Sequence, residues 1–248
     1  HMCCAPTILT SMYSDPSSDG QDLSKVTIMT AGAPPAPQVI RSMEQMGAYI
    51  LHTYGLTETY GPHTICAIQP SWDSMTPEEV AQMKSKQGVP YIIADTGLRV
   101  VDEHMKDIAK DGQQMGEVVM RGNNVMSGYF DDTDASETAF KGGWFHSGDI
   151  AVWHQDGYIE LQDRAKDVII SGGENISSQE VEKVIMEHDG VLEVSVVGVP
   201  DERWGEVPKA FITTREGSRV TESEIIETPL AWILFTSDFT SDNNISIS

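Results

Sequence analysis

Residues 26–54, VTIMTAGAPPAPQVIRSMEQMGAYILHTY, contain the pattern that decides the fold. The apolar run at 26–30 predicts a short buried strand. A helix is predicted over 37–46, because proline suits the first turn of a helix. A second strand is predicted over Tyr49–Tyr54, where Gly55 ends it. Strand, helix and strand at this spacing favour an α/β layer with a mainly parallel sheet.

The sequence on either side of this segment predicts other kinds of structure. Upstream, residues 1–13 have a helix-compatible pattern, and residues 14–24 form a polar, turn-rich loop. Downstream, Gly and Asp turns separate short strands, which favours a mostly antiparallel subdomain with a helix at 134–140. The four strands are predicted at 98–102, 116–121, 149–153 and 158–162.

A compact α+β unit is predicted to begin near Lys166. Ser177 and Glu180 form a capping-box signature for a helix over 178–188, and Thr221 and Glu224 offer a second capping box. The strands of this unit are predicted at 168–171, 191–199 and 209–213. Residues 228–248 do not continue the pattern, contain no Lys or Arg, and are expected to form a disordered tail.

The composition narrows the classes of function. The formal net charge of −22 repels nucleic-acid backbones and anionic membranes, so the sequence predicts no nucleic-acid partner. No apolar run reaches the roughly 18 residues of a spanning helix, so no membrane insertion is expected. The first residues do not look like a secretory signal. The 3 cysteines form no CxxC pair, which favours small buried side chains in a reducing compartment.

The first motif that carries chemistry is Tyr54-Gly55-Leu56-Thr57-Glu58-Thr59, directly after a predicted strand. Ligands of α/β folds bind at such strand ends. A Thr hydroxyl can bond a phosphate oxygen, a nearby carboxylate can hold Mg²⁺, and a tyrosine ring can stack on a base. A plain glycine turn with a helix-capping threonine explains the same residues equally well.

Two further motifs follow at 143–149 (GWFHSGD) and 163–176 (DRAKDVIISGGENI). The carboxylate of Asp149 can accept hydrogen bonds from two ribose hydroxyls, although aspartate is also common in ordinary turns. Arg164 supplies a charge-assisted donor for ribose or phosphate oxygens. Taken alone, the third motif is also compatible with an exposed charge cluster, a strand and a hairpin-like glycine turn.

The order and spacing of these motifs make the sequence similar to the adenylate-forming (AMP-binding) superfamily. It most resembles the plant-type acyl-activating enzymes of the short- and medium-chain acyl-CoA ligase branch. The resemblance covers about residues 1–227 and rests on six blocks: TAGAPPAP, HTYGLTETYGP, VMSGYF, GGWFHSGD, DGYIELQDRAKDVIISGGENIS and VVGVPDERWGEVPKAF.

The resemblance implies a fold with two parts. Residues 1–165 would be the C-terminal part of the large N-terminal adenylation domain, with its parallel α/β sheet and an antiparallel β subdomain. Residues 166–227 would be a truncated small α+β C-terminal domain, with Lys166 at the hinge between the two. Residues 228–248 would be a divergent tail.

The resemblance also implies an ATP-dependent carboxylate–CoA ligase, which uses ATP, Mg²⁺, coenzyme A and a small carboxylic acid. Tyr54 would stack on adenine, Thr57 would contact the α-phosphate, and Glu58 would hold Mg²⁺. Asp149 and Arg164 would bind the ribose. The remaining implied positions are Gly32, Ala33 and Pro34 beside the adenine and acyl group, Asn175 near the phosphates, and Ser171, Gly172 and Gly173 along the coenzyme A channel.

Two departures from the family pattern lead to an expectation of incompleteness at both ends. A Ser/Thr/Gly-rich phosphate loop and a C-terminal catalytic lysine of the family have no counterpart in this sequence. Low or no ligase activity is therefore expected of this chain alone. A non-catalytic remnant with residual nucleotide or partner binding, and an adenylation domain that serves a carrier protein, are the alternatives. The family implies a cytoplasmic or peroxisomal location, and the sequence indicates no particular oligomeric state.

Overall fold

A computed structural model describes residues 1–92, 94, 97–164, 166–171, 174–201, 203–226 and 245–247. The chain divides into two compact units, His1–Leu161 and Gln162–Ser248. None of the helices in the described ranges has the length and apolar content that crossing a bilayer requires.

The first unit begins with the α/β layer that residues 26–54 predict. Its parallel strands are β1 (Met2–Cys4), β2 (Thr27–Thr30) and β3 (Tyr49–Tyr54), and the short antiparallel strands β4 (Thr64–Ile65) and β5 (Val89–Pro90) continue the sheet. The helices are α1 (Pro6–Ser14), α2 (Pro37–Gln45) and α3 (Pro77–Ser85). Apolar side chains from strands and helices form one core, which includes Leu9, Ile28, Val39, Ile40, Met43, Ile50 and Ala81.

A four-stranded sheet follows, in the order β6 (Leu98–Val101), β7 (Met115–Met120), β8 (Phe145–Trp153) and β9 (Ile159–Arg164). The pairs β6–β7 and β7–β8 are antiparallel, as predicted. Helix α4 (Thr133–Ala139) precedes β8, one residue earlier than the sequence predicts. This sheet has its own apolar core, which includes Leu98, Val100, Val118, Met120, Phe145 and Ile159.

The second unit has the predicted α+β organisation. Its elements are β10 (Ile169–Ser171), β11 (Glu174–Ile176), α5 (Ser178–Ile185), β12 (Val191–Asp201), β13 (Gly205–Thr214), α6 (Glu222–Ile226) and β14 (Ile245–Ile247). The predicted N-cap of α5 is present, since the hydroxyl of Ser177 accepts from the N–H of Glu180. The capping box predicted at Thr221 and Glu224 is complete, since the two residues bond each other reciprocally.

Several boundaries differ from the prediction. Residues 2–4 form a strand rather than the start of a helix, since Pro6 occupies the first turn of α1 and the preceding residues pair with β2. Helix α5 ends three residues before the predicted end at 188. Helix α3 was not predicted, although Thr76 and Glu79 form a complete capping box around Pro77.

Part of the tail forms a strand. Within the tail, Ile245–Ile247 pairs in parallel with β13 and so departs from the expected disorder, while 228–244 and 248 lie outside the described residues.

Cys66 is buried, and this burial raises the pKa of its thiol to about 12. Cys3 is exposed, so the expectation of a buried side chain is wrong for that residue.

Two ion pairs join α2 to α3 in different surroundings. The side chain of Lys84 is 5 % exposed, and its Nζ contacts the carboxylate of Glu44 and lies 5.1 Å from the centroid of the Tyr49 ring. The guanidinium of Arg41 bonds the carboxylate of Glu78 at 2.8 Å, with both side chains about half exposed. Breaking the buried pair therefore lowers the free energy of unfolding more than breaking the exposed pair does, because water cannot replace the missing partner of a buried charge.

We expect Lys84→Met to lower the free energy of unfolding by about 2 kcal/mol, since it leaves a partly buried carboxylate without its cation. Arg41→Met is the matched control on the same two helices and should change it by less than about 0.5 kcal/mol. Urea unfolding monitored by circular dichroism measures both. Equal losses in the two variants would contradict the proposed difference in burial.

Candidate active site

A buried hydrogen bond joins two residues that the motifs single out. The hydroxyl of Tyr54, at the end of β3, donates to Oδ2 of Asp149 in β8, with 2.6 Å between the oxygens. The two residues are 8 % and 6 % exposed. A buried carboxylate needs such a donor, because burial without a partner is costly. The structure thus brings the first and second motifs together at one point, although they lie 95 residues apart.

An irregularity in β8 positions Asp149. Glu117 pairs with Ile150 and Val119 with His146, so that β8 carries two more residues than β7 over this interval. Gly148 lies there with a φ of +72°, which favours glycine. Asp149 therefore lies within a bulge inside the strand. The sequence predicts instead that Asp149 opens the strand, and that prediction is wrong.

Side chains of the antiparallel sheet hold this bulge in place. One carboxylate oxygen of Glu117 accepts from the N–H of Gly148 at 3.1 Å, and the other bonds Nδ1 of His146 at 2.8 Å. The hydroxyl of Ser147 donates to the carbonyl of Val118 at 2.6 Å and accepts from the N–H of Asp149 at 3.1 Å. Hydrogen bonds to Glu117 and Val118 therefore hold the segment that carries Asp149 against β7.

A 3₁₀ turn, Thr57–Thr59, follows Tyr54 and carries the candidate phosphate and metal residues. Thr57 is exposed and Glu58 is half-buried. Thr59 is fully buried, and its hydroxyl bonds the carbonyls of Leu56 and Gly61 and accepts from the N–H of Leu56. The threonine that organises the loop is thus Thr59, which the sequence did not single out.

Gly55 lies where the chain after β3 turns back on itself. A Cβ at this position would lie 2.1 Å from the carbonyl oxygen of Gly61. The space beside Gly55 is therefore filled by the returning loop itself. The N–H of His63 donates to the carbonyl of Tyr54 at 2.7 Å, which closes the loop. Burial lowers the pKa of the His63 imidazole, so this side chain is neutral at pH 7.

Glu58 offers one hard oxygen ligand of the kind that Mg²⁺ prefers. The described residues contain no group of three His, Cys, Asp or Glu side chains that could hold a metal. A single carboxylate still fits Mg²⁺, which proteins commonly bind through one or two carboxylates together with substrate phosphates and water. Oε1 of Glu58 accepts from the hydroxyl of Tyr129 at 3.0 Å. Partial burial and this carboxylate raise the pKa of the Tyr129 phenol.

The remaining predicted positions of the first unit lie in the loop after β2. Gly32 and Ala33 are exposed, and Pro34 is half-buried. Because β2 and β3 are parallel neighbours, this loop and the 55–63 loop emerge at the same edge of the sheet. That edge is where α/β folds bind ligands.

The second unit carries the other predicted positions. Arg164 and Lys166 are exposed, and Ser171 is buried. The backbone of Asn175 pairs with Ile170 in the β10–β11 hairpin, while its side chain lies outside the described part of the chain. Gly172 and Gly173 also lie outside the described residues. The roles of these six residues stay predictions.

Family models match both parts of the chain. The AMP-binding enzyme model matches residues 1–130, and the AMP-binding enzyme C-terminal domain model matches residues 180–230. The chain belongs to the AMP-binding enzyme family. Family membership confirms the resemblance that the six sequence blocks predict.

Curated relatives show how far the similarity extends. An acetate–CoA ligase of Humulus lupulus is 51% identical over 229 residues, which are 91% of this chain and 40% of that protein. A peroxisomal acetate/butyrate–CoA ligase of Arabidopsis thaliana is 52% identical over 87% of this chain and 38% of its own length. The chain thus spans about two fifths of the length of these relatives.

Solved structures confirm the fold. An amide bond synthetase from Marinactinospora thermotolerans superposes with a TM-score of 0.82 at 24% identity, over 99% of this chain and 47% of that chain. The o-succinylbenzoate–CoA synthetase of Bacillus subtilis, in complex with its acyl-adenylate intermediate, superposes with a TM-score of 0.74 at 25% identity, over 100% and 47%. The α/β and α+β architecture predicted from the sequence is that of adenylate-forming enzymes.

We expect Thr59→Val to lower the free energy of unfolding by about 2 kcal/mol, because it removes a fully buried hydroxyl that bonds the backbone of Leu56 and Gly61. The exposed neighbour provides the matched control, and Thr57→Val should change stability by less than about 0.5 kcal/mol. Urea unfolding followed by tryptophan fluorescence compares the two. If Thr59→Val proves as stable as Thr57→Val, the hydroxyl does not organise the loop.

Proposed function

We propose that this chain carries the nucleotide-binding part of an ATP-dependent carboxylate–CoA ligase. The observation that carries the proposal is the convergence of Tyr54, Asp149 and the Thr57–Thr59 turn at the carboxyl edge of a parallel sheet. This edge binds ligands in α/β folds generally, and the matched relatives are named as CoA ligases.

The proposed reaction has two half-reactions. A carboxylate oxygen attacks the α-phosphorus of ATP, an O–P bond forms, and the bond to the departing pyrophosphate breaks. The thiol of coenzyme A then attacks the acyl carbon of the acyl-adenylate, and AMP leaves. Mg²⁺, when bound, offsets the negative charge on the phosphates.

In the first unit, the family resemblance is the source of the proposed roles, and the positions of the side chains support them. The carboxylate of Asp149 accepts hydrogen bonds from the ribose hydroxyls, and its hydrogen bond to Tyr54 keeps it in place. The exposed hydroxyl of Thr57 donates to the α-phosphate, and Glu58 binds Mg²⁺. Tyr54 stacking on adenine is the most demanding of these roles, since only 8 % of the residue is exposed.

The family resemblance assigns further proposed roles to the loop after β2 and to residues of the second unit. Gly32, Ala33 and Pro34 line the adenine and acyl side. Arg164 supports the ribose, and Lys166 is the hinge between an adenylation domain at 1–165 and a small domain at 166–227. Asn175 lies near the phosphates, and Ser171, Gly172 and Gly173 border the coenzyme A channel. The exposure of Arg164 and Lys166 supports their two roles, because both side chains are accessible.

The proposed acid is small. Relatives that are 47–52% identical to this chain are named for acetate, acetate/butyrate and 4-hydroxybutyrate, and one that is 40% identical is named for trans-cinnamate. A short- or medium-chain fatty acid or a small aromatic acid is therefore the proposed substrate class. Because two of these four are named as peroxisomal, we propose an intracellular location, either peroxisomal or cytoplasmic.

We expect Asp149→Asn to weaken the binding of AMP at least tenfold, since a charge-assisted hydrogen bond to ribose becomes a neutral one. Asp134→Asn, an exposed substitution in α4, is the control and should leave the affinity unchanged. Isothermal titration calorimetry measures both, with circular dichroism to verify folding. Unchanged AMP affinity in Asp149→Asn would remove this residue from the nucleotide site.

Stable acyl-sulfamoyl adenosine analogues test the acyl half of the site without requiring catalysis. We expect at least one of the acetyl, butyryl and cinnamoyl analogues to bind more than tenfold more tightly than AMP, because a linked acyl group fills a second subsite. The difference between the three affinities reports the acyl preference. If all three bind no better than AMP, the chain holds only the nucleotide part of the proposed substrate.

A further inference from the structure

A segment between β7 and α4, residues 124–129, lies against the Thr57–Thr59 turn and contacts it at three points. The side-chain amide of Asn124 donates to the carbonyl of Thr59 at 3.0 Å. The N–H of Met126 donates to the carbonyl of Glu58 at 2.7 Å. The hydroxyl of Tyr129 donates to Oε1 of Glu58 at 3.0 Å.

The first two contacts fix the backbone of the turn from a buried position. Asn124 is 9 % exposed, and its amide also donates to Nδ1 of His63 at 3.2 Å. His63 is fully buried and in turn donates from Nε2 to the carbonyl of Gly97 at 2.9 Å. Polar networks of this kind are rigid when their members are bonded to one another. The backbone that carries Glu58 is therefore anchored to the body of the first unit.

The third contact, from the Tyr129 hydroxyl, is made to the Glu58 side chain itself. Hydrogen bonds to α4 fix the backbone of Tyr129. The N–H of Tyr129 donates to the hydroxyl of Ser136 in α4 at 2.8 Å, and that hydroxyl donates to the carbonyl of Asp132 at 2.7 Å. Asp132 caps α4 by accepting from the N–H of Ala135 at 3.0 Å. Tyr129 is thus tied to the start of a helix, so its phenol reaches Glu58 from a defined position.

A half-buried glutamate has three rotatable bonds, and ordering it for metal binding costs conformational entropy. A hydrogen-bond donor on one carboxylate oxygen reduces that cost, because the side chain is ordered before the metal arrives. Carboxylates that bind metals are commonly held by such partners, whose loss weakens metal affinity. The phenol of Tyr129, which donates to Oε1 of Glu58, is a partner of this kind.

We propose that Tyr129 is a positioning residue for the metal site, which holds the Glu58 carboxylate so that it can bind the divalent ion that accompanies ATP. The inference rests on the proposed function, since it takes Glu58 as a metal ligand. It adds a partner for Glu58 that lies 71 residues away in the sequence. Tyr129 itself touches neither nucleotide nor metal in this role.

The test compares Tyr129→Phe with Tyr91→Phe in the full chain. Each substitution removes one hydroxyl from a tyrosine of similar exposure, 41 % and 37 %. With Mn²⁺ and ATP as the probe, electron paramagnetic resonance measures the affinity for Mn²⁺. We expect about tenfold weaker binding for Tyr129→Phe and an unchanged affinity for Tyr91→Phe. Binding of ATP in EDTA should stay within about twofold of wild type in both, because the role concerns only the metal.

The same comparison in a Glu58→Gln background separates positioning from general damage. If Tyr129 acts through Glu58, the two substitutions are not additive, and Tyr129→Phe adds little once the carboxylate is gone. A purely structural role would weaken ATP binding in EDTA as well, and would do so in both backgrounds. An additive effect of the two substitutions would overturn the proposal.

A spectroscopic readout follows Tyr129 directly. In protein labelled with ¹³C at tyrosine Cζ, the resonance that disappears in Tyr129→Phe belongs to this residue. We expect Mg²⁺ with ATP to shift it in wild type and not in Glu58→Gln. If wild type binds Mn²⁺ and ATP through Glu58 but Tyr129→Phe binds equally well, the positioning role is wrong while the proposed function stands. If wild type binds no metal–nucleotide complex, both are wrong.

Discussion

The hydrogen bond between Tyr54 and Asp149 is the constraint on which the candidate site depends. It joins the end of a parallel strand to the middle of an antiparallel strand, so that the two sheets of the first unit meet at a fixed polar point. A carboxylate that is 6 % exposed needs a donor close by, because burial of an unpartnered charge is unfavourable. The bond therefore stabilises Asp149, the residue that we propose binds the ribose.

Much of the fold could be predicted from the sequence, because the local signals agreed with one another. The strand–helix–strand pattern of residues 26–54 placed β2, α2 and β3 within one residue of their bounds. The capping residues Ser177 and Thr221 correctly marked the starts of two helices. The strands β4 and β5 were missed, since two residues are too few to show a period.

The candidate site was predictable only in part, and the reason is physical. Motif residues such as Thr57 and Glu58 are recognisable because their chemistry suits phosphate and metal. Tyr129 bonds Glu58 across 71 residues of sequence, a contact that no local spacing reveals. Thr59 bonds its near neighbours Leu56 and Gly61, and the motif alone does not distinguish it from Thr57 for that task. The bulge that contains Asp149 was equally hidden, because a strand with extra residues looks in sequence like a strand that begins later.

The two extra residues of β8 also bear on how this strand can vary. Since side chains alternate between the faces of a sheet, an even number of extra residues preserves the alternation on both sides of the bulge. Phe145, Asp149 and Ala151 are accordingly all buried. Loss of a single residue here would turn every later side chain of the strand to the wrong face. Length changes in this strand are therefore restricted by parity: pairs of residues can be gained or lost without reversing the buried face.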